Sequence, residues 1–248
     1  MSGCVSVSLR VCSAEAMSRP RFVLFGDSIT EQGFRNGGWA AALANTYSRK
    51  ADVIVRGYGG YNTRWALFLI DMLFPPSASE PIAATTIFFG ANDAALQGRT
   101  SERQYVPIEE YKENLKKMVH QMKNSSPGML VVLITPPPID EDGRLEFARS
   151  QGKAIELPER TNENTGIYAK QCVDLANELQ LPYINLWSKM QETEGWQKKF
   201  LRDGLHLTEE GRSLLLFAPL DSGVSSESGV FLGFLHLDMK NVSTKAYF

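Results

Sequence analysis

Arg21-Phe22-Val23-Leu24-Phe25-Gly26-Asp27-Ser28-Ile29-Thr30 decides how the rest of the chain is read. An apolar run stops at a glycine and passes into a short polar turn that carries a serine. A buried strand holds such a turn rigid, Gly26 lets the backbone bend tightly, and the hydroxyl is left at the carboxyl edge of the sheet, where α/β proteins place their ligands. Serine alone is a weak nucleophile, so this reading requires a base and an oxyanion site further along the chain.

Working outward, apolar β-rich runs recur at 52–56, 85–89, 130–135 and 182–186. The pieces at 38–50, 63–74, 107–123 and 161–180 are long and amphipathic enough for crossover helices. Continuous apolar runs mark strands covered on both faces. This βαβα rhythm predicts an α/β protein with a parallel sheet, and 248 residues at 43% hydrophobic suit one large domain. Residues 1–18 read as a disordered N-terminal extension, 19–217 as the domain and 218–248 as an atypical tail.

Composition narrows the classes. A formal net charge of -2 leaves no basic footprint for nucleic acid, and no apolar run reaches transmembrane length. Cys4, Cys12 and Cys172 form neither a paired framework nor a zinc spacing, which points to reduced thiols and a cytoplasmic protein. Secretion is the minor alternative, since Ala14-Glu15-Ala16 imitates a signal-peptidase site.

Three further stretches carry chemistry. After the second strand, Gly57-Tyr58-Gly59-Gly60-Tyr61-Asn62 lets the backbone approach a ligand and turn N–H groups toward it; no Lys-Ser/Thr follows, so it is not a phosphate loop. After the third, Gly90-Ala91-Asn92-Asp93 offers the neutral amide of Asn92, which suits an oxyanion better than a carboxylate would. Near the end, Asp203-Gly204-Leu205-His206 lets a carboxylate reach the imidazole of its own loop. That contact would fix the tautomer and stabilise the imidazolium formed when His206 takes the Ser28 proton. Asn62, Pro136 and Pro138 are assigned to the wall of a substrate pocket, the prolines because their run leaves the carboxyl end of the fourth strand. Thr30 stands where a Gly-x-Ser-x-Gly elbow needs its second glycine, which argues against the α/β-hydrolase fold.

Taken together, Gly26-Asp27-Ser28-Ile29, the Gly60 loop, Gly90-Ala91-Asn92-Asp93 and Asp203-Gly204-Leu205-His206 resemble the successive blocks of the GDSL esterases, or SGNH hydrolases. Residues 56–67, Gly90-Ala91-Asn92-Asp93-Ala94 and Thr135-Pro136-Pro137-Pro138 are similar to the isoamyl acetate-hydrolysing branch, its plant members in particular. The resemblance implies a flavodoxin-like three-layer α/β/α sandwich with a five-stranded parallel sheet in the order 2-1-3-4-5. It implies Ser28 as nucleophile, His206 as base and then acid, Asp203 as its orienting partner, and an oxyanion hole of the Ser28 and Gly60 N–H groups with the Asn92 side chain. No metal or organic cofactor is required.

The expected activity is hydrolysis of small, short-chain or acetyl esters, with the ester and water as partners. Rivals are a thioesterase or lysophospholipase using the same atoms, and a binding protein impaired by its tail. The tail departs from the family after Phe217, where Ala218-Pro219 interrupts the expected long helix. Its apolar remainder makes homodimerisation a liability.

Overall fold

The computed structural model describes residues 19–76, 82–218, 220 and 221. Five parallel strands form one sheet in the order β2-β1-β3-β4-β5: β1 Arg21–Gly26, β2 Asp52–Gly57, β3 Ile82–Phe88, β4 Leu130–Ile134 and β5 Tyr183–Ile184. Ten helices accompany it among the described residues. They are α1 Ser28–Glu31, α2 Trp39–Thr46, α3 Thr63–Ala66, α4 Ile70–Leu73, α5 Ile108–Ser125, α6 Glu141–Ser150, α7 Asn162–Glu178, α8 Leu186–Gln191, α9 Trp196–Phe200 and α10 Glu209–Phe217.

Alternation along the strands sorts the core into two layers. Phe22 and Leu24 of β1 and Val132 and Ile134 of β4 enter one apolar cluster with Trp39 and Leu43 of α2 and Leu215 of α10. Val23, Phe25, Val131 and Leu133 enter the other, with Leu115 and Met118 of α5 and Leu175 of α7. The expected α/β/α sandwich and its 2-1-3-4-5 order are what the structure shows. Phe25 is fully buried, with the rings of Tyr58, Phe74 and Phe89 at 6.2, 5.9 and 4.9 Å. Burial of such a side chain contributes roughly 1.5–3 kcal/mol and fixes the strand that carries the Ser28 turn.

Departures from the expected elements have local causes. The third strand begins at Ile82 rather than at position 85, because Ala83 and Ala84 lack the β-branched signature although the latter is buried. The helix expected over 63–74 is split by a 3₁₀ turn at Leu67–Leu69 into α3 and α4, but Ala66, Ile70 and Phe74 still face inward. Leu186, expected in the last strand, opens α8 instead, since Asn185 accepts the Ser188 N–H at 3.1 Å and caps the helix.

Helix α6 occupies a stretch to which the sequence patterns assign no element. It buries only Gly143 and Ala148 of its ten residues, which leaves almost no apolar period to read. At the chain's end α10 stops at Phe217, two residues before Pro219; Ala218 and Leu220 are buried, and Asp221 exchanges both backbone hydrogen bonds with Tyr183 of β5. The expectations for residues 1–18 and for the tail beyond Asp221 lie outside the described residues. No described helix is long and apolar enough to cross a membrane.

Candidate active site

In this strand order β1 has β2 on one side and β3 on the other, and the chain leaves β1 in one direction and later returns in the other. The crevice at the carboxyl ends of these strands is the topological switch point, where open α/β sheets bind ligands. Ser28 follows β1, Gly60 follows β2 and Asn92 follows β3.

Asp27 caps α1: its Oδ1 accepts the Ile29 N–H at 2.9 Å, while its own N–H donates to the Phe88 carbonyl at 3.3 Å. Ser28 therefore sits at the first position of α1, where its N–H has no partner inside the helix. Its Oγ lies 2.9 Å from His206 Nε2. On the other side of the imidazole, Nδ1 lies 2.7 Å from Asp203 Oδ2, and Asp203 Oδ1 accepts the N–H groups of Leu205 and His206 at 3.1 and 2.8 Å. Hydroxyl, imidazole and carboxylate thus form one hydrogen-bonded line. Burial opposes the charge on Asp203, but the hydrogen bonds and charge of His206 and the nearby Arg144 outweigh it, holding the carboxyl at about 2.

The loop carrying the imidazole is braced by α6. Asp140 N–H donates to the Gly204 carbonyl at 3.0 Å, and Arg144 Nη1 donates to the Asp203 carbonyl at 2.9 Å. Gly204 has φ +79°, and a Cβ there would lie 2.4 Å from the Asp140 carbonyl oxygen, so only glycine permits this approach.

Opposite lies the Gly60 loop. Gly60 has φ +79°, its N–H donates to no group among the described residues, and its carbonyl accepts Gln104 Nε2 at 2.9 Å. Glu31 Oε2 accepts the preceding Gly59 N–H at 2.6 Å. Asn92 is buried; Nδ2 donates to the Tyr61 carbonyl at 2.8 Å and Oδ1 accepts from Arg160 Nη2 at 3.1 Å. An amide nitrogen carries two hydrogens, so one remains uncommitted.

Asn62 does not line a pocket. Its side chain is fully buried, Oδ1 caps α3 by accepting the Trp65 N–H at 2.9 Å, and Nδ2 donates to the Gln104 carbonyl at 2.8 Å. An Asn before a helix is most cheaply used as its cap. Pro136 and Pro138 are buried, and Pro136 lies against Gly90 at the base of the Asn92 turn. Asp93 also serves the scaffold, accepting the Thr63 N–H at 2.9 Å and the Thr63 hydroxyl.

Two buried carboxyls flank the site. Burial, with a smaller contribution from Asp93, pushes Asp27 up to about 7; burial pushes Asp93 up to about 6 against the hydrogen bonds from Thr63. Four residues that the sequence reading did not single out complete the site: Gln104, Arg144, Glu159 and Arg160. The adjacent opposite charges at 159 and 160 look like a solvated loop in sequence, yet both side chains are nearly inaccessible. Among the described residues, no group of three or more His, Cys, Asp and Glu side chains is placed to hold a metal ion.

A parallel 2-1-3-4-5 sheet with these loops at its switch-point edge is the SGNH hydrolase fold. Residues 24–214 match the GDSL-like Lipase/Acylhydrolase family, and the chain belongs to that family, as an enzyme acting on ester bonds. It is 66% identical over 199 residues to a GDSL esterase/lipase of Arabidopsis thaliana, covering 79% of this chain and 82% of that one. With the isoamyl acetate-hydrolyzing esterase 1 homolog of Homo sapiens it shares 41% identity over 216 residues, 85% of each chain. Among solved structures, the lipase/acylhydrolase from Enterococcus faecalis superposes with a TM-score of 0.61 at 26% identity, covering 79% of this chain and 91% of that one.

Proposed function

We propose that the protein hydrolyses small, short-chain or acetyl carboxylic esters by acyl transfer through Ser28. The observation that carries this reading is the unbroken line from Ser28 Oγ to His206 Nε2 at 2.9 Å and from His206 Nδ1 to Asp203 Oδ2 at 2.7 Å. An ionised Asp203 favours the tautomer with hydrogen on Nδ1, which leaves the Nε2 lone pair facing the serine hydroxyl.

Ser28 Oγ attacks the ester carbonyl as His206 Nε2 takes its proton. The oxyanion meets the Ser28 and Gly60 N–H groups and the uncommitted hydrogen of Asn92 Nδ2, donors of the kind that contribute about a hundredfold to a thousandfold each to turnover. The imidazolium then protonates the leaving alcohol, and the C–O bond breaks to give an acyl-enzyme. Water, deprotonated by the same imidazole, attacks the acyl carbonyl and releases the acid and the free serine. The relatives named as isoamyl acetate-hydrolyzing esterases support a short acyl group. A cytoplasmic setting belongs to the same proposal, supported by the free buried thiol of Cys172.

Ser28→Ala abolishes turnover of p-nitrophenyl acetate and labelling by a fluorophosphonate probe while leaving the circular-dichroism melt unchanged, and His206→Ala is nearly as damaging. Full residual activity in Ser28→Ala overturns the assignment. In an ester panel, turnover that rises steadily with acyl length beyond butyrate overturns the short-chain preference alone.

A further inference from the structure

We propose that Arg160 is the positioning residue of the oxyanion site, holding the Asn92 carboxamide directly and the Gly60 carbonyl through Gln104. This inference rests on the acyl-transfer reading and extends it to residues that never touch the substrate.

Arg160 is 3% exposed, and three of its four hydrogen bonds go to the Ala91–Asn92 turn and Gln104. Nε donates to the Ala91 carbonyl at 2.6 Å, Nη1 to Glu159 Oε1 at 2.9 Å, and Nη2 to both Asn92 Oδ1 at 3.1 Å and Gln104 Oε1 at 2.5 Å. A guanidinium can only donate and a backbone carbonyl can only accept. Arg160 on one side and the Tyr61 carbonyl on the other therefore admit a single orientation of the Asn92 amide, the one that presents an N–H to an oxyanion.

Gln104 passes the same constraint to the second donor. Its Oε1 is held by Arg160, which turns its Nε2 to the Gly60 carbonyl at 2.9 Å. With Glu31 holding the Gly59 N–H and Gln104 the Gly60 carbonyl, the peptides on either side of the one that carries the Gly60 N–H are both anchored, at a φ of +79° that favours glycine.

The charge of Arg160 is compensated without using this fork. Glu159 accepts from Arg160 at 2.9 Å and pairs with Arg144 at 2.7 Å, and Arg144 in turn reaches the Asp203 carbonyl. Charges thus alternate from the oxyanion side to the carboxylate that orients His206. An ion pair alone would be satisfied by lysine; the Ala91 carbonyl, Asn92 Oδ1 and Gln104 Oε1 together are not, because an ammonium lacks the planar fork.

The test is kinetic, on the full chain with p-nitrophenyl acetate. Arg160→Lys keeps the charge beside Glu159 and lowers kcat about tenfold to a hundredfold with KM within about twofold, less than loss of an oxyanion donor itself. In an Asn92→Ala background the same substitution loses about fivefold or more of its effect, because its main target is gone. Gln104→Leu leaves the Arg160–Glu159 pair intact and lowers kcat about fivefold to thirtyfold. It carries the test alone if Arg160→Lys does not fold.

An equal loss for Arg160→Lys in both backgrounds shows a general structural role and overturns the inference. So does a folded Gln104→Leu enzyme with kcat within about twofold of the parent. Ser28→Ala separates the two levels: if it is inactive while the arginine and glutamine variants keep full kcat, only this inference fails. If Ser28→Ala stays active, the acyl-transfer reading falls and this inference falls with it.

Discussion

On the proposed nucleophile side the first contacts are short in sequence, with α6 bracing the Asp203 loop from outside, whereas on the proposed oxyanion side the contacts of Asn92 and Gly60 are long. Asp27 fixes its turn through Ile29 two residues on, and Asp203 meets the Nδ1 of His206 three residues on while accepting that residue's own N–H. Asn92 and Gly60, by contrast, take their orientation from groups 68 and 44 positions away. A short loop with its own carboxylate sets the imidazole's partner locally, and α6 only holds the loop's backbone in place. The proposed donors on Asn92 and Gly60 depend on the packing of a buried ion network, so their precision is a property of the whole domain. Damage on the first side removes a step of the chemistry; damage on the second grades its rate.

Asp203→Asn is the sharpest way to break that contrast. The carboxamide oxygen can still accept the N–H groups of Leu205 and His206, so the loop keeps its shape, but the amide nitrogen facing Nδ1 favours the wrong imidazole tautomer. We expect kcat to fall about 10³- to 10⁴-fold with the melting temperature nearly unchanged. A loss below about tenfold in p-nitrophenyl acetate turnover would make the Asp203–His206 contact a mere loop staple.

Asn92→Ala comes next, with an expected loss of about 10²- to 10³-fold in kcat and little in KM, because its hydrogen bond strengthens as negative charge develops. Saturation kinetics decide it. If the loss falls on KM alone, Asn92 positions the ground-state ester and the oxyanion side is misassigned.

The same contrast explains how much could be read from the chain. In the Gly26-Asp27-Ser28 turn and the Asp203 to His206 loop the carboxylate meets its first partner two or three residues away, so these residues and those partners follow from spacing. Asn92 is legible as a residue type at a strand end, but its orientation is not. Arg160, Gln104 and Glu159 lie in stretches with no apolar period and become neighbours of the site only after the sheet is assembled. Asn62 departs from its expected place in a pocket wall for a related reason: the start of α3 takes its side chain as a cap. Helix α6 is invisible because it braces the Asp203 loop with Gly143 and Arg144 rather than with an apolar stripe. Strand order is not contained in the individual strand signals either; the family resemblance supplied it.

The smallest expected effect concerns stability rather than rate, and it separates the two sides by their unpaired charge. On the oxyanion side Arg160 and Glu159 neutralise each other. On the nucleophile side Asp27 is fully buried, uses Oδ1 on the Ile29 N–H and leaves Oδ2 without a partner among the described residues. Burial, helped by Asp93 and Glu31 and opposed by the Ile29 hydrogen bond and Arg160, raises its folded pKa from 3.8 to about 7. A raised carboxyl binds its proton more tightly folded than unfolded, so its stabilising contribution is complete below about 3.8 and is lost as pH rises through about 7. Asp27→Asn keeps the helix-capping oxygen and cannot ionise. Its melting temperature relative to the parent should therefore climb between pH 4 and pH 7, by an equivalent on the order of 1–3 kcal/mol. Asp93 is present in both proteins and largely cancels. Parallel melting curves across that range would mean that Asp27 stays charged in the fold. The nucleophile turn would then be as well compensated as the oxyanion side.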